Sequence, residues 1–304
     1  MINLPKEVSF WERGWLSSNN ILLRDDSQAI LIDTGYWTHA EQTLNLVRKA
    51  LGSQALTGII NTHLHSDHCG GNARLQAAYP QATTQVPLGH ADYVFDWDPA
   101  ALTYTPTGQH CPQFSATGVI RDGDFFEVGS MHWKAYSAPG HDPNSIVLFS
   151  EESGVLISAD ALWGNGFGVV FPEIEGISAF DEVGETLDVI EKLCPKVVLP
   201  GHGSAFTDIP EAIERARKRL AGFKSNPDKH AIYAAKVLLK FKLLEFQRVA
   251  IVDFLSWSAQ STYMQELHTR YAHQISFEAW FEELCTGLQS SGAATLEGGF
   301  ITNI

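Results

Sequence analysis

Short apolar runs separated by polar turns dominate the first two thirds of the chain. Segments such as NNILLRD (19–25) and QAILIDTG (28–35) predict β-strands, because each holds three or four consecutive apolar residues between polar ends. Further strands are predicted at 7–15, 57–60, 83–88, 125–138, 145–150, 154–159 and 196–200. Helical periods cover 38–52, 72–79 and 178–193, the last with Ser178 as its N-cap. Strands in two blocks with helices between them predict two sheets between helical layers, an α+β fold.

The pattern changes in the last quarter of the chain, where helical periods replace the strands. Helices are predicted over 230–246, 248–257, 262–272 and 276–288. The final twelve residues, AATLEGGFITNI, contain two short apolar runs around a Gly-Gly pair, which predicts a β-hairpin. We therefore predict two domains, 1–226 and a small helical, winged-helix-like domain over 227–304, joined by the linker SNPDK (225–229).

The charge of the chain is acidic and unevenly distributed. The formal net charge is −14, and residues 1–228 hold 15 basic and 28 acidic side chains, so they carry nearly all of the imbalance. Such a surface repels nucleic acid and anionic membranes, which favours a small-molecule substrate. The one basic cluster, RARKR (215–219), has a helical pattern, and we interpret it as a solvated helix face.

Cysteine usage and the amino-terminal sequence predict a cellular location. The four cysteines are far apart and form no CxxC pair, which argues against a disulfide framework and favours a reducing compartment. The first 15 residues carry charges where a signal peptide needs an apolar core, and no run of about 20 apolar residues occurs in the sequence. These features predict a cytoplasmic protein that does not cross a membrane.

The segment NTHLHSDHCGG (61–71) concentrates side chains that bind metals. It places His63, His65, Asp67 and His68 within six positions. Histidine is the commonest metal ligand, and carboxylate oxygen joins it on zinc, iron or manganese. In an extended loop the first three of these side chains point the same way, and the fourth comes from the turn that follows. A predicted strand precedes the loop and a predicted helix follows it, which is where α/β proteins concentrate binding residues. The segment therefore predicts a metal site.

Three further ligand candidates follow predicted strands and stand next to or near glycine. His141 lies in APGHDPNS, Asp160 in SADALWG and His202 in PGHGS. Each is the first strong ligand type after a short apolar run, so we expect all three at the edge of the sheets, together with the 63–68 loop. The remaining histidines lack this setting and are interpreted as surface or packing residues: His39, His90, His110, His132, His230, His268 and His273.

Together with LIDTG (31–35), these motifs resemble the metallo-β-lactamase superfamily of hydrolases over residues 31–204. The resemblance implies an αββα sandwich with two divalent metal ions, zinc first and iron or manganese as alternatives. It assigns the first metal to His63, His65 and His141, the second to Asp67, His68 and His202, and a bridging position to Asp160. Asp33 would orient a ligand, or serve only a tight turn.

The resemblance also narrows the chemistry. In having an aspartate at the bridging position, the sequence resembles glyoxalase II-like thioesterases, lactonases and phosphodiesterases rather than true zinc β-lactamases. We expect a metal-bridging hydroxide to attack a thioester, ester or lactone, with Asp67 as the catalytic residue that orients the nucleophile and passes its proton to the leaving group. A phosphodiesterase of the same fold is the first alternative. A regulatory or binding protein that uses the C-terminal domain is the second.

Several residues near the predicted metal site have two possible roles each. Asn144, where relatives have glycine, either touches substrate or stabilises a turn. The aromatic side chains of 160–176 (Trp163, Phe167, Phe171) and of 93–104 either wall a pocket or fill core. The C-terminal domain offers only Lys236, Lys240, Lys242 and Arg248 as binders of a glutathione-like anion. That domain either forms a homodimer or other protein contact or covers the metal site.

Overall fold

The computed structural model describes residues 2–304. Its first sheet has six strands in sequence order: β1 (Val8–Trp11), β2 (Asn20–Arg24), β3 (Ala29–Ile32), β4 (Gly58–Ile60), β5 (Thr83–Pro87) and β6 (Gly118–Ile120). The first three pair antiparallel, and β3 to β6 pair parallel. Parallel pairing brings the carboxyl ends of β3 and β4 to one edge of the sheet, where Asp33 and the 61–71 segment begin.

The second sheet has five strands in the order β11-β10-β9-β8-β7. Their bounds are β7 (Phe125–Val128), β8 (Met131–Ser137), β9 (Ile146–Ser150), β10 (Val155–Ala159) and β11 (Val197–Pro200). All neighbours pair antiparallel except β10 and β11, which are parallel. The predicted single strand over 125–138 is wrong in this respect. It is a hairpin, because Gly129 adopts a φ of 62° and lets the chain reverse.

The helices before the C-terminal region are α1 (Ala40–Leu51), α2 (Ser66–Cys69), α3 (Asn72–Ala78), α4 (Ala91–Phe95), α5 (Tyr104–Thr107), α6 (Phe171–Glu175), α7 (Phe180–Leu193) and α8 (Ile209–Ser225). Ser178 is not the N-cap of α7, as the sequence predicted. The Glu173 carboxylate accepts hydrogen bonds from the backbone N–H groups of Ala179 (2.7 Å) and Phe180 (3.0 Å) instead. A carboxylate two turns upstream thus satisfies the free amides of the helix.

Three apolar clusters establish the four-layer order. Inward-facing residues of both sheets, Ile21 and Trp133 among them, form one core between the sheets. Leu22 and Leu31, on the other face of the first sheet, pack on α1 and α3. Leu156 on the second sheet packs on α7 and α8 in the same way. The α+β, αββα arrangement expected from the sequence is therefore confirmed.

The C-terminal region contains four helices and a small sheet. Its elements are α9 (Pro227–Phe246), β12 (Arg248–Ala250), α10 (Ile251–Gln260), α11 (Thr262–Tyr271), α12 (Phe277–Ser290), β13 (Ala294–Glu297) and β14 (Phe300–Asn303). The predicted terminal hairpin is confirmed as β13 paired with β14. The segment predicted as a helix from residue 248 begins instead as β12, because Arg248 to Ala250 add a third antiparallel strand to that hairpin.

The C-terminal region is packed tightly against the preceding residues. Residues 225–229, the predicted linker, lie within α8 and α9 apart from Asn226. Val169 and Ile174, from the segment that follows β10, belong to the same apolar cluster as α9 to α12. His230 on α9 accepts a hydrogen bond from the Val170 N–H through Nε2 (3.1 Å). This packing brings α9 to the edge of the sheets where the predicted ligands lie.

Candidate metal centre

Strand ends bring the seven predicted ligands together at one edge of the sandwich. The 61–71 segment contributes four ligands after β4, two of them in the short helix α2. His141 follows β8, Asp160 directly follows β10, and His202 follows β11. All seven side chains are at most 13% exposed. Residues up to 139 positions apart in the chain thus occupy one buried cluster.

Three histidines form the first half of the cluster. His65 Nδ1 lies 3.1 Å from His63 Nε2 and 2.8 Å from His141 Nε2. The Nδ1–H of His63 faces the Thr62 hydroxyl (3.2 Å), and that of His141 faces the Val169 carbonyl, so each Nε2 lone pair is left for the centre. Burial and the neighbouring histidines lower the pKa of His63 well below 6.5 and that of His65 to about 3. Three neutral imidazoles with converging lone pairs suit a divalent cation.

Carboxylates and two more histidines form the second half. His202 Nε2 lies 3.0 Å from Asp67 Oδ2, and His68 Nε2 lies 3.4 Å from Asp160 Oδ1. The other oxygen of Asp160 lies 3.4 Å from His141 Nε2, so this carboxylate contacts both halves. Burial opposes charge on His68, but Asp160, Asp33 and Asp67 together raise its pKa well above 6.5. Mixed imidazole and carboxylate donors around one point also suit a divalent cation.

Asp33 supports the cluster from behind. Its Oδ1 accepts from the Thr62 N–H (2.9 Å), and its Oδ2 accepts from the Thr62 hydroxyl (2.7 Å) and from His68 Nδ1 (2.7 Å). These bonds fix the His68 ring with Nε2 directed at the other ligands. Asp33 also has a φ of 56°, so the turn interpretation and the orienting interpretation hold together.

Two glycines that the sequence analysis did not predict as site residues leave space for Asp160 and His141 to pack close to the backbone. A Cβ on Gly201 would lie 2.2 Å from Asp160 Oδ1, and one on Gly168 would lie 2.4 Å from His141 Nδ1. Any side chain at either position would displace a ligand. The PGHGS motif contained the signal for Gly201, but Gly168 is close to His141 only in the folded chain.

Asp142 and His90 form a contact that the sequence reading missed. Both are buried, and Asp142 Oδ2 lies 3.4 Å from His90 Nε2 and 3.7 Å from His65 Nε2. His90, interpreted from the sequence as a surface or packing residue, is a buried packing residue that contacts Asp142 beside the predicted ligand His141. Asn144 is not directed at the ligands. Its side chain lies against Gly89, where a Cβ would be 1.8 Å from Asn144 Oδ1, and Asn144 does not line the cleft over the cluster.

A cleft of about 590 Å³ opens over the cluster. Its floor contains His65, Asp67, His141, Asp160 and His202. Its walls come from the N-terminal segment, the 103–109 segment, the segment after β10 and α9: Trp15, Thr103, Thr107, Gln109, Trp163, Gly168, Val169, Phe171, Val237, Leu238 and Phe241. The C-terminal region therefore lines the cleft over the cluster, in agreement with one of the two roles predicted from the sequence.

The aromatic predictions divide between cleft and core. Trp163 and Phe171 line the cleft, whereas Phe167 is 1% exposed and packs in the core beneath the second sheet. Trp15 was not predicted. It stacks on His202 with ring centroids 5.3 Å apart and an interplanar angle of 5°, and it is 56% exposed. In the 93–104 segment Trp97 and Tyr104 belong to a core cluster, and Thr103 reaches the cleft.

The four basic candidates of the C-terminal region lie away from the cleft. Lys240 donates to the Ala293 and Ile304 carbonyls, and the buried Lys242 pairs with Glu245 at 2.7 Å. Arg248 lies over the ring of Phe300, and Lys236 adjoins Gly287. Across the part of the chain that the structure describes, neither lysine nor arginine lines the cleft.

Comparison with known proteins supports this architecture. Residues 13–202 match the family model described as the Metallo-beta-lactamase superfamily. Among curated proteins, the chain is 28% identical over 200 residues to thioesterase pkgB of Emericella nidulans, covering 65% of this chain and 49% of that protein. It is 22% identical over 198 residues to an atrochrysone carboxyl ACP thioesterase of Aspergillus fumigatus, covering 65% and 54%. The chain thus spans about half the length of these curated relatives.

Solved structures share the fold at low identity. A metallo-beta-lactamase family protein of Thermus thermophilus, TTHA1429, aligns over 98% of both chains with a TM-score of 0.56 and 19% identity. ETHE1 from Myxococcus xanthus aligns over 74% of this chain and 91% of its own, with a TM-score of 0.53 and 20% identity. The first alignment includes the C-terminal helices.

Within residues 2–304, every helix is too short or too polar to cross a bilayer.

Proposed function

Because the chain belongs to the metallo-β-lactamase superfamily, we propose that it is a metal-dependent hydrolase that cleaves a thioester with an apolar acyl group. The observation that carries this proposal is the position of the seven-residue cluster at the floor of a cleft with largely apolar walls. The relatives named as thioesterases favour a thioester over the ester, lactone and phosphodiester alternatives.

The ligand assignment is part of the proposal. His63, His65 and His141 would hold one divalent cation, and Asp67, His68 and His202 would hold a second, while Asp160, which contacts both halves of the cluster, would serve both. Zinc is the proposed metal, and iron and manganese suit the same donors. The chemistry that such cations would supply is polarisation of the substrate carbonyl and a lower pKa, toward about 7, for a water molecule in the site.

Asp67 is the proposed catalytic residue. Burial disfavours its charge, but His68 and His202 more than compensate and lower its pKa, so it is ionised at neutral pH. The carboxylate borders the cleft and can accept a hydrogen bond from the attacking water. It takes the proton of that water as the water oxygen bonds to the carbonyl carbon, and it gives the proton to the sulfur as the carbon–sulfur bond breaks.

The acyl side of the substrate would lie against α9 and the segment after β10. Val237, Leu238 and Phe241 face Val169 and Phe171 across the cleft. Binding of an apolar or aromatic acyl group removes this surface from water, which favours binding by about 25 cal/mol per Å² of apolar surface buried. An anionic acyl group such as succinyl would find neither lysine nor arginine on these walls, within the described residues, to pair with its carboxylate.

A substrate panel tests the function. Purified protein, saturated with zinc or manganese, is assayed with pantetheine thioesters of benzoate, hexanoate and succinate, with an aryl ester, a lactone and a bis-phosphodiester. We expect the benzoyl and hexanoyl thioesters to be hydrolysed and the succinyl thioester to be at least tenfold poorer in kcat/KM. His63→Ala is the matched inactive control.

Other outcomes of the panel assign other functions. Faster hydrolysis of the phosphodiester would replace the thioesterase proposal with the phosphodiesterase alternative. If elemental analysis finds metal in the protein but no bond is cleaved, the binding-protein alternative takes its place. A homodimer and a cytoplasmic location remain predictions from the sequence.

A further inference from the structure

A second groove, called here the side groove, lies next to the cleft. Its volume is about 920 Å³, and the two share Trp15, Trp163 and His202 as a common wall. The rings of Trp15 and Trp163 meet edge to face with centroids 5.3 Å apart. The half-exposed Trp15 is the outer member of this wall. A flexible ligand that runs past Trp15 would therefore occupy both the cleft and the side groove.

The side groove differs from the cleft in charge. Two arginines from the basic cluster on α8, Arg215 and Arg219, line it together with one carboxylate, Asp208. The predicted solvated helix face therefore also borders this groove, and the Arg215 side chain is 40% exposed. Both arginines also contact the body of the protein, where Arg215 Nε donates to the Gly164 carbonyl (2.8 Å) and Arg219 Nη1 donates to the Phe167 carbonyl (3.3 Å).

Arg219 is the cation available to a ligand. Arg215 pairs with Asp208 at 2.7 Å, and Arg217 on the outer side pairs with Asp188 and Glu191. Arg219 forms no ion pair with any residue in the described chain, and its guanidinium carbon lies 5.5 Å from the centre of the Tyr233 ring. In a protein with a net charge of −14, a guanidinium without a carboxylate partner, set in a groove, is a place for an anion.

We propose that the side groove binds the phosphate of a 4′-phosphopantetheine arm, with Arg219 as the main contact. This inference rests on the proposed thioesterase function. A thioester has two sides, and the apolar cleft suits the acyl group, so the thiol side must leave by another route. Because the cleft and the side groove share His202, this route runs past His202 into the side groove. The phosphate is at the end of the phosphopantetheine arm opposite the thiol, so it would lie near the arginines.

The same arm occurs in coenzyme A and on acyl carrier proteins. The chemistry shared by both is a pantetheine chain that ends in a phosphate ester. One of the relatives is named as an acyl carrier protein thioesterase, which is consistent with such an arm.

Binding is measured first, because it does not depend on turnover. Isothermal titration calorimetry compares 4′-phosphopantetheine with pantetheine on wild type, Arg219→Gln and Arg217→Gln. We expect wild type to bind the phosphorylated form at least tenfold more tightly, which corresponds to about 1.4 kcal/mol. Arg219→Gln should remove this preference. Arg217→Gln, the matched control on the same helix, should keep it. Equal Kd values for the two ligands on wild type would overturn the proposal.

Kinetics then identify the source of the arm. The same benzoyl group is presented on coenzyme A, on an acyl carrier protein and on unphosphorylated pantetheine. Arg219→Gln should raise KM about tenfold for one or both phosphorylated carriers, with kcat and the pantetheine substrate unchanged, and the carrier affected names the source. An unchanged KM for both carriers would overturn the inference while leaving the thioesterase function intact. Failure to cleave any thioester would overturn the function, and the calorimetry would still decide the phosphate site.

Discussion

Individual ligands in the cluster depend on partners that are not ligands themselves. His68 is oriented by Asp33, His63 by Thr62 and His141 by the Val169 carbonyl. Each partner occupies one ring nitrogen and leaves the other for the centre. The side chains of the cluster are therefore already oriented for the proposed cations, and such orientation favours tight metal binding.

Replacement of Asp67 with alanine tests the catalytic assignment. We expect turnover of the best thioester to fall at least about 100-fold, because the group that orients the nucleophile and moves its proton is lost. Metal content is measured on the same sample by elemental analysis. Full activity with an unchanged metal content would contradict the role of Asp67.

Replacement of Asp33 with asparagine tests the support behind the ligands. In the aspartate, one negatively charged oxygen accepts hydrogen bonds from both His68 Nδ1–H and the Thr62 hydroxyl, whereas the asparagine amide is neutral and holds His68 less firmly. We therefore expect metal affinity to fall about 10-fold to 100-fold. Competition against a chromophoric chelator measures this affinity. Asp26→Asn, a change at an exposed carboxylate, is the control and should leave the affinity unchanged.

At the scale of elements, α9 has two functions. Its first turn is attached to the segment after β10 through His230 and Val170, and its middle turns form one wall of the cleft. Tyr36 also donates to Glu245 near the end of the helix (3.0 Å). The helix is thus held at both ends against the sandwich, and this fixes the width of the cleft.

The joint at His230 should make stability depend on pH. Burial lowers the pKa of His230 to about 4, whereas the unfolded chain has the ordinary value near 6.5. Between these values the unfolded state binds more protons, so stability falls as pH drops from about 6.5 to 4, by about 2 kcal/mol at pH 5. Urea unfolding of wild type and His230→Gln at pH 7 and pH 5 measures the difference. An equal loss in both proteins would show that His230 does not contribute.

The wall formed by α9 should select among acyl groups. Phe241→Ala removes an aromatic face from the cleft, so we expect kcat/KM for the benzoyl thioester to fall about tenfold and that for an acetyl thioester to change little. Ile232→Ala, at an exposed position of the same helix, serves as the control. Equal losses for both thioesters would place Phe241 outside the acyl site.

For the whole molecule, the proposed metal centre links the two sheets with the C-terminal region. Its seven residues follow strands of both sheets, and α9 forms one wall of the cleft above them. A ligand that binds only the folded state stabilises every element that contributes to its site. Metal binding and global stability should therefore change together.

Removal of metal should lower the thermal midpoint of the whole chain. A cation present at about 1,000 times its Kd stabilises the folded state by about 4 kcal/mol. We expect chelation to lower Tm by several degrees in one transition, and zinc to restore it. Differential scanning calorimetry makes the measurement, with His63→Ala as the variant whose Tm should not respond. A zinc-insensitive wild type would argue against the assigned centre.

Local sequence patterns were sufficient for the elements and for the members of the cluster. A strand of the second sheet such as β10 has apolar residues at nearly every position because both of its faces are covered, and this leaves a clear signal. The ligand loops were recognisable because each strong donor type closely followed such a strand. Signals spread over two strands were weaker, and the hairpin at Gly129 and the short strand β12 were missed.

What the sequence determined alone was the αββα framework and the residues gathered at its edge, because both follow from short-range periodicity and from donor types at strand ends. The tertiary structure decided which side chains surround them. Trp15 and Gly168 reach the cluster from other segments, His90 approaches Asp142 beside His141, and helix periodicity could not tell that Arg215 and Arg219 line the side groove. Contacts between residues far apart in the chain depend on how the layers pack, and a linear pattern of polar and apolar positions does not contain that information.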